Sequence, residues 1–237
     1  APIRQMIRSA RFVMGRVATV DPVARTLTCE TLAGVLTQTY DHLVLAFGNR
    51  ARVDLLPGLA EHGIALKTVG DAMHIRNTVL RRIAQLELED NLELRRRLGH
   101  FVIIGGGFSG VEVAGELVDC LKSIRRYYPR VAEDDLKVTV LQDQPRLLPE
   151  LSVRLGAAAQ RSLVARGVDV RTRAKAVAVD DRTVTLDEGT SLRTATVICT
   201  IGTRPNALVE SLHVSVERGR IVVNGDLSVR HMPGLWA

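Results

Sequence analysis

A glycine-rich turn in the segment FVIIGGGFSGVEVAGEL, which begins at Phe101, constrains the fold of this chain more than any other feature. Its glycines match the pattern G-x-G-x-x-G at Gly105, Gly107 and Gly110, and Ala114 follows one helical turn later. The turn lies between the apolar run FVII and an amphipathic segment, so the pattern predicts a strand, a tight turn and a helix. In such a unit the first glycine permits the turn, the second lets a diphosphate approach the backbone, and the third lets helix and strand pack closely.

The turn therefore predicts dinucleotide binding, because free N–H groups and the partial positive charge at a helix N-terminus attract a diphosphate. The alternative is a turn with a purely structural role. The flanking strand and helix favour the dinucleotide interpretation over that alternative. The candidate cofactor-binding residues on the turn are Gly105, Gly106, Gly107, Phe108, Ser109 and Gly110.

The end of the next strand bears on the choice of coenzyme. In LKVTVLQDQPRLLP, Gln142 stands where an acidic residue usually accepts hydrogen bonds from the adenosine ribose, and Asp143 follows it. Two interpretations stay open. Either Gln142 faces the ribose and discriminates weakly between NAD and NADP, with Arg146 available to pair with a 2′-phosphate, or Gln142 is an exposed strand end and Asp143 takes the acidic role.

The order of elements indicates an α/β fold. Residues 12–47 predict short strands, and YDHLVLAFG in particular predicts a central strand buried on both faces. A helix with Asp71 as its cap follows a loop at Pro57. From Phe101 onward, alternating strands and helices predict a parallel sheet with a small antiparallel excursion. The predicted segments are strand 101–105, helix 109–127, strand 137–142, helix 152–166, strand 168–171, alternating segments 175–179 and 182–186, strand 195–202, and a hairpin-like pair within RIVVNGDLSV.

The charge distribution argues against a nucleic-acid partner. The formal net charge is +6, but the basic residues are spread along 237 positions and aromatic residues make up only 3% of the chain. The densest basic run, Arg95-Arg96-Arg97, follows LELEDNLEL and predicts a solvated helical face.

The cysteine content and the hydropathy limit which cellular setting the sequence fits. Cys29, Cys120 and Cys199 are isolated, so each is expected to be a small buried hydrophobic residue and no metal site is predicted. Few cysteines and no C-x-x-C fit a reducing, cytoplasmic setting. No segment approaches the roughly 20 apolar residues of a membrane span, and no signal peptide is recognised, so we expect a soluble chain.

Four stretches together resemble a known family. They are YDHLVLAFGNR, IIGGGFSGVEVAGEL, VTVLQDQPRLLPELS, and ICTIGTRPNALV continued by GRIVVNGDLSV and HMPGLWA. In this order they resemble FAD-dependent pyridine nucleotide oxidoreductases, and most of all the type II NADH dehydrogenases (NADH:quinone oxidoreductases). The likeness covers most of the chain.

The resemblance implies a Rossmann-like NAD(P)H-binding domain, at residues 67–195, inserted into a partial FAD-binding domain. The two parts of the FAD-binding domain would be residues 1–66 and 196–237. The implied cofactors are NADH, or NADPH, and FAD, with hydride passing from NADH to FAD and electrons then reaching quinone. The alternatives are a flavin enzyme with another acceptor, of the ferredoxin or nitrite reductase type, and a non-enzymatic nucleotide-binding module.

The resemblance also implies roles for five further residues. Ala46 and Gly48, with Gly202 and Pro205, would lie near the flavin, whereas the alternative for each pair is an ordinary buried strand with a turn glycine. Glu112 matches a family glutamate near the nicotinamide and the flavin and is the candidate catalytic residue. The alternative for Glu112 is a carboxylate that the helix dipole favours.

Two departures from the family pattern lead us to expect a central portion of a longer enzyme. Nothing in residues 1–100 matches the family's first glycine motif for FAD, and the chain stops at GLWA, where its Ala-x-Gly-Asp motif would begin. We therefore expect this portion alone to bind FAD weakly or not at all. Any peripheral association with the inner face of a membrane would run through a further C-terminal segment, and a homodimer is compatible with the family.

Overall fold

The computed structural model describes residues 3–7, 9–217 and 219–237. The helices are α1 (Ile3–Met6), α2 (Leu59–His62), α3 (Val69–Leu88), α4 (Leu92–Leu98), α5 (Phe108–Arg125), α6 (Val153–Ala165) and α7 (Ala207–Ser211), with a 3₁₀ turn at Glu133–Asp135. The strands are β1 (Gly15–Asp21), β2 (Thr26–Thr31), β3 (Gly34–Thr39), β4 (Leu43–Val44), β5 (Asn49–Ala51), β6 (Gly63–Ala65), β7 (His100–Ile104), β8 (Lys137–Gln142), β9 (Asp169–Thr172), β10 (Ala176–Val179), β11 (Thr183–Leu186), β12 (Ser191–Arg193), β13 (Thr196–Cys199), β14 (Thr203–Pro205), β15 (Val216–Glu217), β16 (Arg220–Ile221) and β17 (Leu235–Trp236).

The chain forms two compact units. One unit is the single segment Ala51–Thr203, here called the continuous unit, and the other combines Ala1–Arg50 with Arg204–Ala237, here called the discontinuous unit. The family resemblance implies an inserted domain at residues 67–195. The continuous unit extends further on both sides because β6 and β13 are strands of its main sheet.

The continuous unit is built on a five-stranded sheet in the order β6-β13-β7-β8-β9, and every neighbouring pair is parallel. The chain runs from β7 through β8 to β9 at one edge and later returns to β13 on the other side of β7. The strand order therefore reverses beside β7. In open α/β sheets, ligands bind at the carboxyl ends of the strands at such a reversal.

Two apolar layers cover this sheet because successive side chains of a strand point to opposite faces. Phe101 and Ile103 belong to a core formed with α3, α5 and α6 on one face. Val102 and Ile104 belong to a second core, formed with the antiparallel sheet β10-β11-β12 on the other face. All five residues of β7 are buried, as expected for a central parallel strand.

The predicted α/β fold class is confirmed, and most predicted elements of the continuous unit lie within about two residues of their observed bounds. The start of α3 differs in detail. Its cap is Thr68, whose hydroxyl accepts from the Asp71 amide, while the Asp71 carboxylate accepts from the Thr68 amide. Asp71 is thus the reciprocal partner in a capping box and not the cap itself.

The discontinuous unit contains the antiparallel sheet β1-β2-β3 and two short sheets, β4-β17 and β15-β16. The prediction that YDHLVLAFG forms a central strand buried on both faces is wrong. Only Leu43–Val44 are in strand conformation, and Val44 is 68% exposed. Among the described residues β4 pairs with β17 alone, so no second neighbouring strand extends it or shields it.

Two predictions from composition also need correction. Cys29 and Cys199 are buried, and burial raises the pKa of the Cys199 thiol, but Cys120 is exposed because it lies on the outer side of α5. The run Arg95-Arg96-Arg97 is not one solvated face. Arg95 is largely buried and donates to the carbonyls of Leu86, Glu89 and Arg130 and to Asp135 Oδ2, the last at 2.6 Å.

Within the part of the chain that the structure describes, no helix is both long and apolar enough to cross a lipid bilayer. The same residues hold no group of three histidine, cysteine, aspartate or glutamate side chains placed to bind a metal ion.

Candidate nucleotide-binding site

The glycine turn lies where the strand order of the main sheet reverses. β7 ends at Ile104, and the turn leads directly into α5, which begins at Phe108. The turn is anchored on both sides, because the Gly105 amide donates to the Leu141 carbonyl at 2.8 Å and the Leu148 amide donates to the Gly106 carbonyl at 2.9 Å. The N-terminus of α5 therefore has a fixed position at the carboxyl end of the sheet.

Two of the three motif glycines have no room for a side chain. Gly105 has a φ of +113°, and a Cβ there would lie 2.5 Å from Ile201 Cγ2. A Cβ on Gly110 would lie 1.8 Å from the Gly105 carbonyl oxygen. The first glycine is thus required by the backbone conformation, and the third by the close crossing of helix and turn.

Gly107 has the opposite surroundings. A Cβ built there meets no heavy atom within 4 Å, and its φ of −76° is open to any residue. Within the described residues, the amides of Gly107, Phe108 and Ser109 donate to no protein acceptor, and no side chain caps α5. This open space at Gly107, here called the hollow, lies beside unpaired N–H groups at a helix N-terminus and is suited to an anionic group.

Gln142 is tied to the turn. Its side chain is buried, and Oε1 accepts a hydrogen bond from the Gly106 amide at 2.8 Å. The interpretation of Gln142 as an exposed strand end is therefore wrong, because the turn folds over it. What Gln142 can still offer a ligand is its Nε2 group, a donor.

The residues beyond Gln142 have different surroundings. Asp143 is exposed and its carboxylate is unpaired among the described residues. Arg146 donates to the carbonyls of Leu151 and Pro149, each at 2.7 Å. The guanidinium of Arg146 thus braces the loop before α6, and pairing with a 2′-phosphate would require it to give up these bonds.

The N-terminal half of α5 presents three exposed side chains. Phe108 is 53% exposed, and Ser109 and Glu112 are also exposed. Glu112 lines a shallow crevice of the continuous unit together with residues of α5 and α6 such as Gly115 and Ser162.

Thr200, just after β13, is a further part of the site for which the sequence offers no motif. Its hydroxyl lies 3.0 Å from the Ile104 carbonyl oxygen and 3.1 Å from the Gly105 carbonyl oxygen. It also lies 3.0 Å from the position of a Cβ on Gly110. The one available signal in the sequence was the position of Thr200 directly after the apolar run ATVIC. Carboxyl ends of adjacent parallel strands meet at one edge of a sheet, so this position predicts that Thr200 lies near the glycine turn.

The predicted flavin-proximal residues fall in both units. In the discontinuous unit, Ala46 lines a cavity of about 550 Å³ with Phe47 and Leu208, and Gly48, with a φ of +62°, has open space where a Cβ would lie. Pro205 is exposed and packs against Gly219.

Gly202 belongs to the continuous unit. Its φ is +69°, and a Cβ there would lie 2.2 Å from Leu55 Cδ1. Its carbonyl accepts from the Arg52 amide at 3.2 Å. Gly202 therefore fixes a tight backbone crossing.

A buried polar network lies at the other edge of the main sheet, where β7 and β8 begin. The His100 ring contacts the Arg193 carbonyl through Nδ1 at 2.7 Å and Thr139 Oγ1 through Nε2 at 2.8 Å. Burial is the main reason that the pKa of His100 lies below its usual value. Asp169 contacts Thr139 Oγ1 at 3.3 Å and pairs with Lys137 at 3.0 Å.

The parallel sheet with its glycine turn defines the class: this is an α/β protein with a Rossmann-like unit. The family model of the pyridine nucleotide-disulphide oxidoreductases matches residues 2–237. The chain belongs to that family.

Curated relatives are similar to most of this chain. A mitochondrial external alternative NAD(P)H-ubiquinone oxidoreductase B1 of Solanum tuberosum is 33% identical over 198 residues, which is 78% of this chain and 34% of the relative. The type II NADH:quinone oxidoreductase NdhA of Mycobacterium tuberculosis is 28% identical over 259 residues, covering 100% of this chain and 53% of the relative. The chain thus spans between about a third and a half of the length of these relatives.

Solved structures show the same fold. The structure of NDH2 from Plasmodium falciparum in complex with NADH aligns with a TM-score of 0.86 over 95% of this chain and 48% of that chain, at 19% identity. A ferredoxin reductase from Rhodopseudomonas palustris aligns with a TM-score of 0.74 over 99% of this chain and 51% of that one, at 21% identity. This chain therefore shares its fold with these two proteins, over about half the length of each.

Proposed function

We propose that this chain is the NADH-binding portion of a flavin-dependent NADH:quinone oxidoreductase. The observation that carries the proposal is the open hollow at Gly107, beside three unpaired amides at the N-terminus of α5. The relatives from Solanum tuberosum and Mycobacterium tuberculosis, whose names give NAD(P)H or NADH as donor and a quinone as acceptor, support the same function.

The glycine turn would hold the diphosphate of NADH. The amides of Gly107, Phe108 and Ser109 would donate to its oxygens, and the dipole of α5 would add a favourable field. No side chain of the turn has to move, because nothing described fills the hollow at Gly107. The site is thus organised before the coenzyme arrives, which lowers the cost of binding.

The adenosine ribose would lie near the end of β8. Gln142 can donate from Nε2, while Asp143 is exposed and can accept from ribose hydroxyls. Asp143 would also repel a 2′-phosphate. Since Arg146 is engaged with two loop carbonyls, it offers little compensation to NADPH, and the arrangement favours NADH.

FAD, when bound, supplies the redox chemistry by accepting a hydride and passing electrons to the acceptor. In this proposal residues 67–195 form the NAD(P)H-binding domain, and residues 1–66 with 196–237 contribute to the FAD-binding domain. Glu112 would help to position the nicotinamide ring. Ala46, Gly48, Gly202 and Pro205 would lie near the flavin, and the open side of Gly48 together with the cavity at Ala46 leaves room for part of that cofactor.

The proposal also includes expectations for the cellular location, the membrane contact and the oligomeric state of the protein. They are a cytoplasmic location, peripheral contact with the inner face of a membrane through a further C-terminal segment, and a homodimer.

The test uses the full-length enzyme of which this chain is proposed to be a portion. Purified protein should show flavin absorbance, lose it on addition of NADH, and regain it on addition of a soluble quinone. Reduction of quinone with no reduction of ferredoxin supports the proposed acceptor, whereas the reverse pattern refutes it. Colourless protein that binds NADH but never oxidises it would support the non-enzymatic alternative.

A further inference from the structure

The continuous unit has a cavity at the end of the main sheet where its strands begin. The glycine turn lies at the opposite end, where the strands finish. We call this cavity the arginine cavity. It has a volume of about 440 Å³, and its polar lining comprises Asn91, Glu93, Arg97, Arg182, Thr183 and Arg193. Arg97 lies in the last turn of α4, just before β7 begins at His100, whereas the glycine turn follows the other end of β7.

The backbone holds the three arginines of the arginine cavity in fixed positions. The Ala195 amide donates to the Arg97 carbonyl at 2.9 Å, and the Thr194 amide donates to the Arg182 carbonyl at 2.8 Å. Arg193 pairs with Thr183 in the β11-β12 ladder. The cavity is thus framed by hydrogen-bonded structure.

The positive charge of the arginine cavity is only partly neutralised. Arg193 pairs with Glu93 at 2.7 Å, and Arg182 pairs with the adjacent Asp181 at 3.3 Å. Arg97 has no carboxylate partner among the described residues, and its Nε is buried without a hydrogen-bond partner.

Arg82, a neighbour of Arg97, adds further positive charge. Arg82 donates to the Ala195 carbonyl at 2.9 Å, and its own Nε is also buried without a partner. Burial, followed by the charges of Arg81 and Arg97, lowers the pKa of Arg82 below its usual value. Arg82 also donates to the Gln85 side-chain oxygen at 3.0 Å, so its guanidinium is satisfied except at Nε. Among the described residues no carboxylate pairs with Arg82 or Arg97, and each carries a buried Nε–H group without an acceptor, which costs stability. This excess of positive charge favours an anionic ligand.

The available donors match phosphate chemistry. A guanidinium presents a planar set of N–H groups that suits two oxygens of a phosphate. Asn91 Oδ1 is occupied by the amides of Glu93 and Leu94, which leaves Nδ2 as a donor toward the cavity. The volume of about 440 Å³ exceeds that of a bare phosphate and lies in the range of small-molecule sites.

We propose that the arginine cavity binds a small soluble molecule through a phosphate group, with Arg97 as the principal contact. This site is separate from the coenzyme site and does not depend on the proposed oxidoreductase function. The run Arg95-Arg96-Arg97 thereby divides into three roles. Arg95 braces α4, Arg96 is solvated, and Arg97 serves the cavity.

The test titrates inorganic pyrophosphate into the intact protein by calorimetry at constant ionic strength. Arg97→Gln should weaken one binding event by about tenfold or more, because a charge-assisted contact is lost. Arg96→Gln is the matched control, since it removes the same charge from the same helix outside the cavity, and it should leave that affinity unchanged. Unchanged pyrophosphate binding in Arg97→Gln would overturn the proposal, because any binding would then belong elsewhere, such as the glycine turn.

Thermal melting gives an independent readout of the same site. Pyrophosphate should raise the Tm of the natural protein and of Arg96→Gln, but raise that of Arg97→Gln less. Without ligand, Arg97→Gln should melt no lower than the natural protein, because the Arg97 side chain has no hydrogen-bond or ion-pair partner to lose among the described residues. Loss of Tm in Arg97→Gln without ligand would contradict the account of an unpaired charge.

A phosphate group can also come from a lipid. In the last arm, the protein is sedimented with vesicles of phosphatidylcholine and phosphatidic acid. Binding to vesicles that requires Arg97, together with no binding of pyrophosphate, would refute a soluble ligand. Pyrophosphate binding without sedimentation supports it.

Discussion

The Gln142 side-chain oxygen accepts a hydrogen bond from the Gly106 amide at 2.8 Å. This bond joins the end of β8 to the glycine turn after β7, so the turn and the strand end where we propose that the ribose binds form one structure. The oxygen of Gln142 faces the turn, and only the amide nitrogen remains for a ligand. Under the proposed function, discrimination between NADH and NADPH would therefore depend on the Gln142 amide nitrogen and on the exposed carboxylate of Asp143.

Gln142→Glu should shift binding toward NADH over NADPH by several-fold. A glutamate keeps an oxygen for the Gly106 amide but replaces the free donor with a second anionic oxygen, which repels a 2′-phosphate. The ratio of the two dissociation constants, measured by fluorescence titration, checks this. An unchanged ratio would mean that the side chain does not face the ribose.

Gln142→Met serves as the control for that prediction. It removes the acceptor and leaves the buried Gly106 amide unpaired, at a cost of about 1–3 kcal/mol in the free energy of unfolding. Both coenzymes should then bind more weakly, by a similar factor.

Gly110→Ala should destabilise the continuous unit by about 1–3 kcal/mol, because its methyl group would lie 1.8 Å from the Gly105 carbonyl oxygen. Urea unfolding measures the loss. The matched control is Gly107→Ala, whose methyl group meets no atom within 4 Å and should leave the unfolding free energy within about 0.5 kcal/mol of the natural value. Equal stability of the two variants would contradict the observed close crossing of α5 and the turn.

His100 should make the stability of the protein fall between neutral and mildly acidic pH. Burial is the largest cause of its lowered pKa, and the positive Lys137 and Arg171 act in the same direction. The contact with the Arg193 carbonyl and the charge of Asp169 oppose them.

Proton uptake by the unfolded chain determines whether stability rises or falls with pH. Above the ordinary histidine pKa of 6.5, His100 is neutral in both states and its full contribution is present. As the pH falls below that value, the unfolded chain takes up the proton first, so the folded state loses stability. Unfolding free energies at about pH 7.5 and about pH 5.5 should differ less in His100→Gln than in the natural protein. An identical pH dependence in both proteins would refute this role.

Arg95→Met should lower the unfolding free energy by about 3 kcal/mol or more, because it leaves Asp135 largely buried without its ion-pair partner. It also removes the donors to the Leu86 and Glu89 carbonyls at the end of α3. The exposed Arg96→Met is the control and should change stability by about 0.5 kcal/mol or less. Similar losses in both variants would mean that Arg95 is as solvated as the sequence suggested.

Local patterns account for the parts of the fold that could be predicted from the sequence. The glycine turn, the buried strand before it and the helix after it are specified within residues 101–125, so their order and bounds follow from periodicity and turn chemistry. The strand at 137–142 could also be predicted locally, from the β-branched and apolar run VTVL, and five of its six residues are buried in the structure.

Long-range contacts decide what could not be predicted. The burial of Gln142 depends on the glycine turn that folds over it, and the Gly106 amide that it binds lies 36 residues away in sequence. The burial of Arg95 depends on Asp135, and the limited strand at Leu43–Val44 depends on its pairing with β17. The inclusion of β6 and β13 in the main sheet likewise depends on pairings that no local pattern records.

We propose that the hollow at Gly107 holds the diphosphate of NADH, and an NADH titration of Gly107→Glu tests this proposal. The site has space for the new side chain, so melting and circular dichroism should match the natural protein, while the added carboxylate fills the hollow and repels the diphosphate. We expect the folded variant to bind no NADH. NADH affinity equal to that of the natural protein would contradict the proposal.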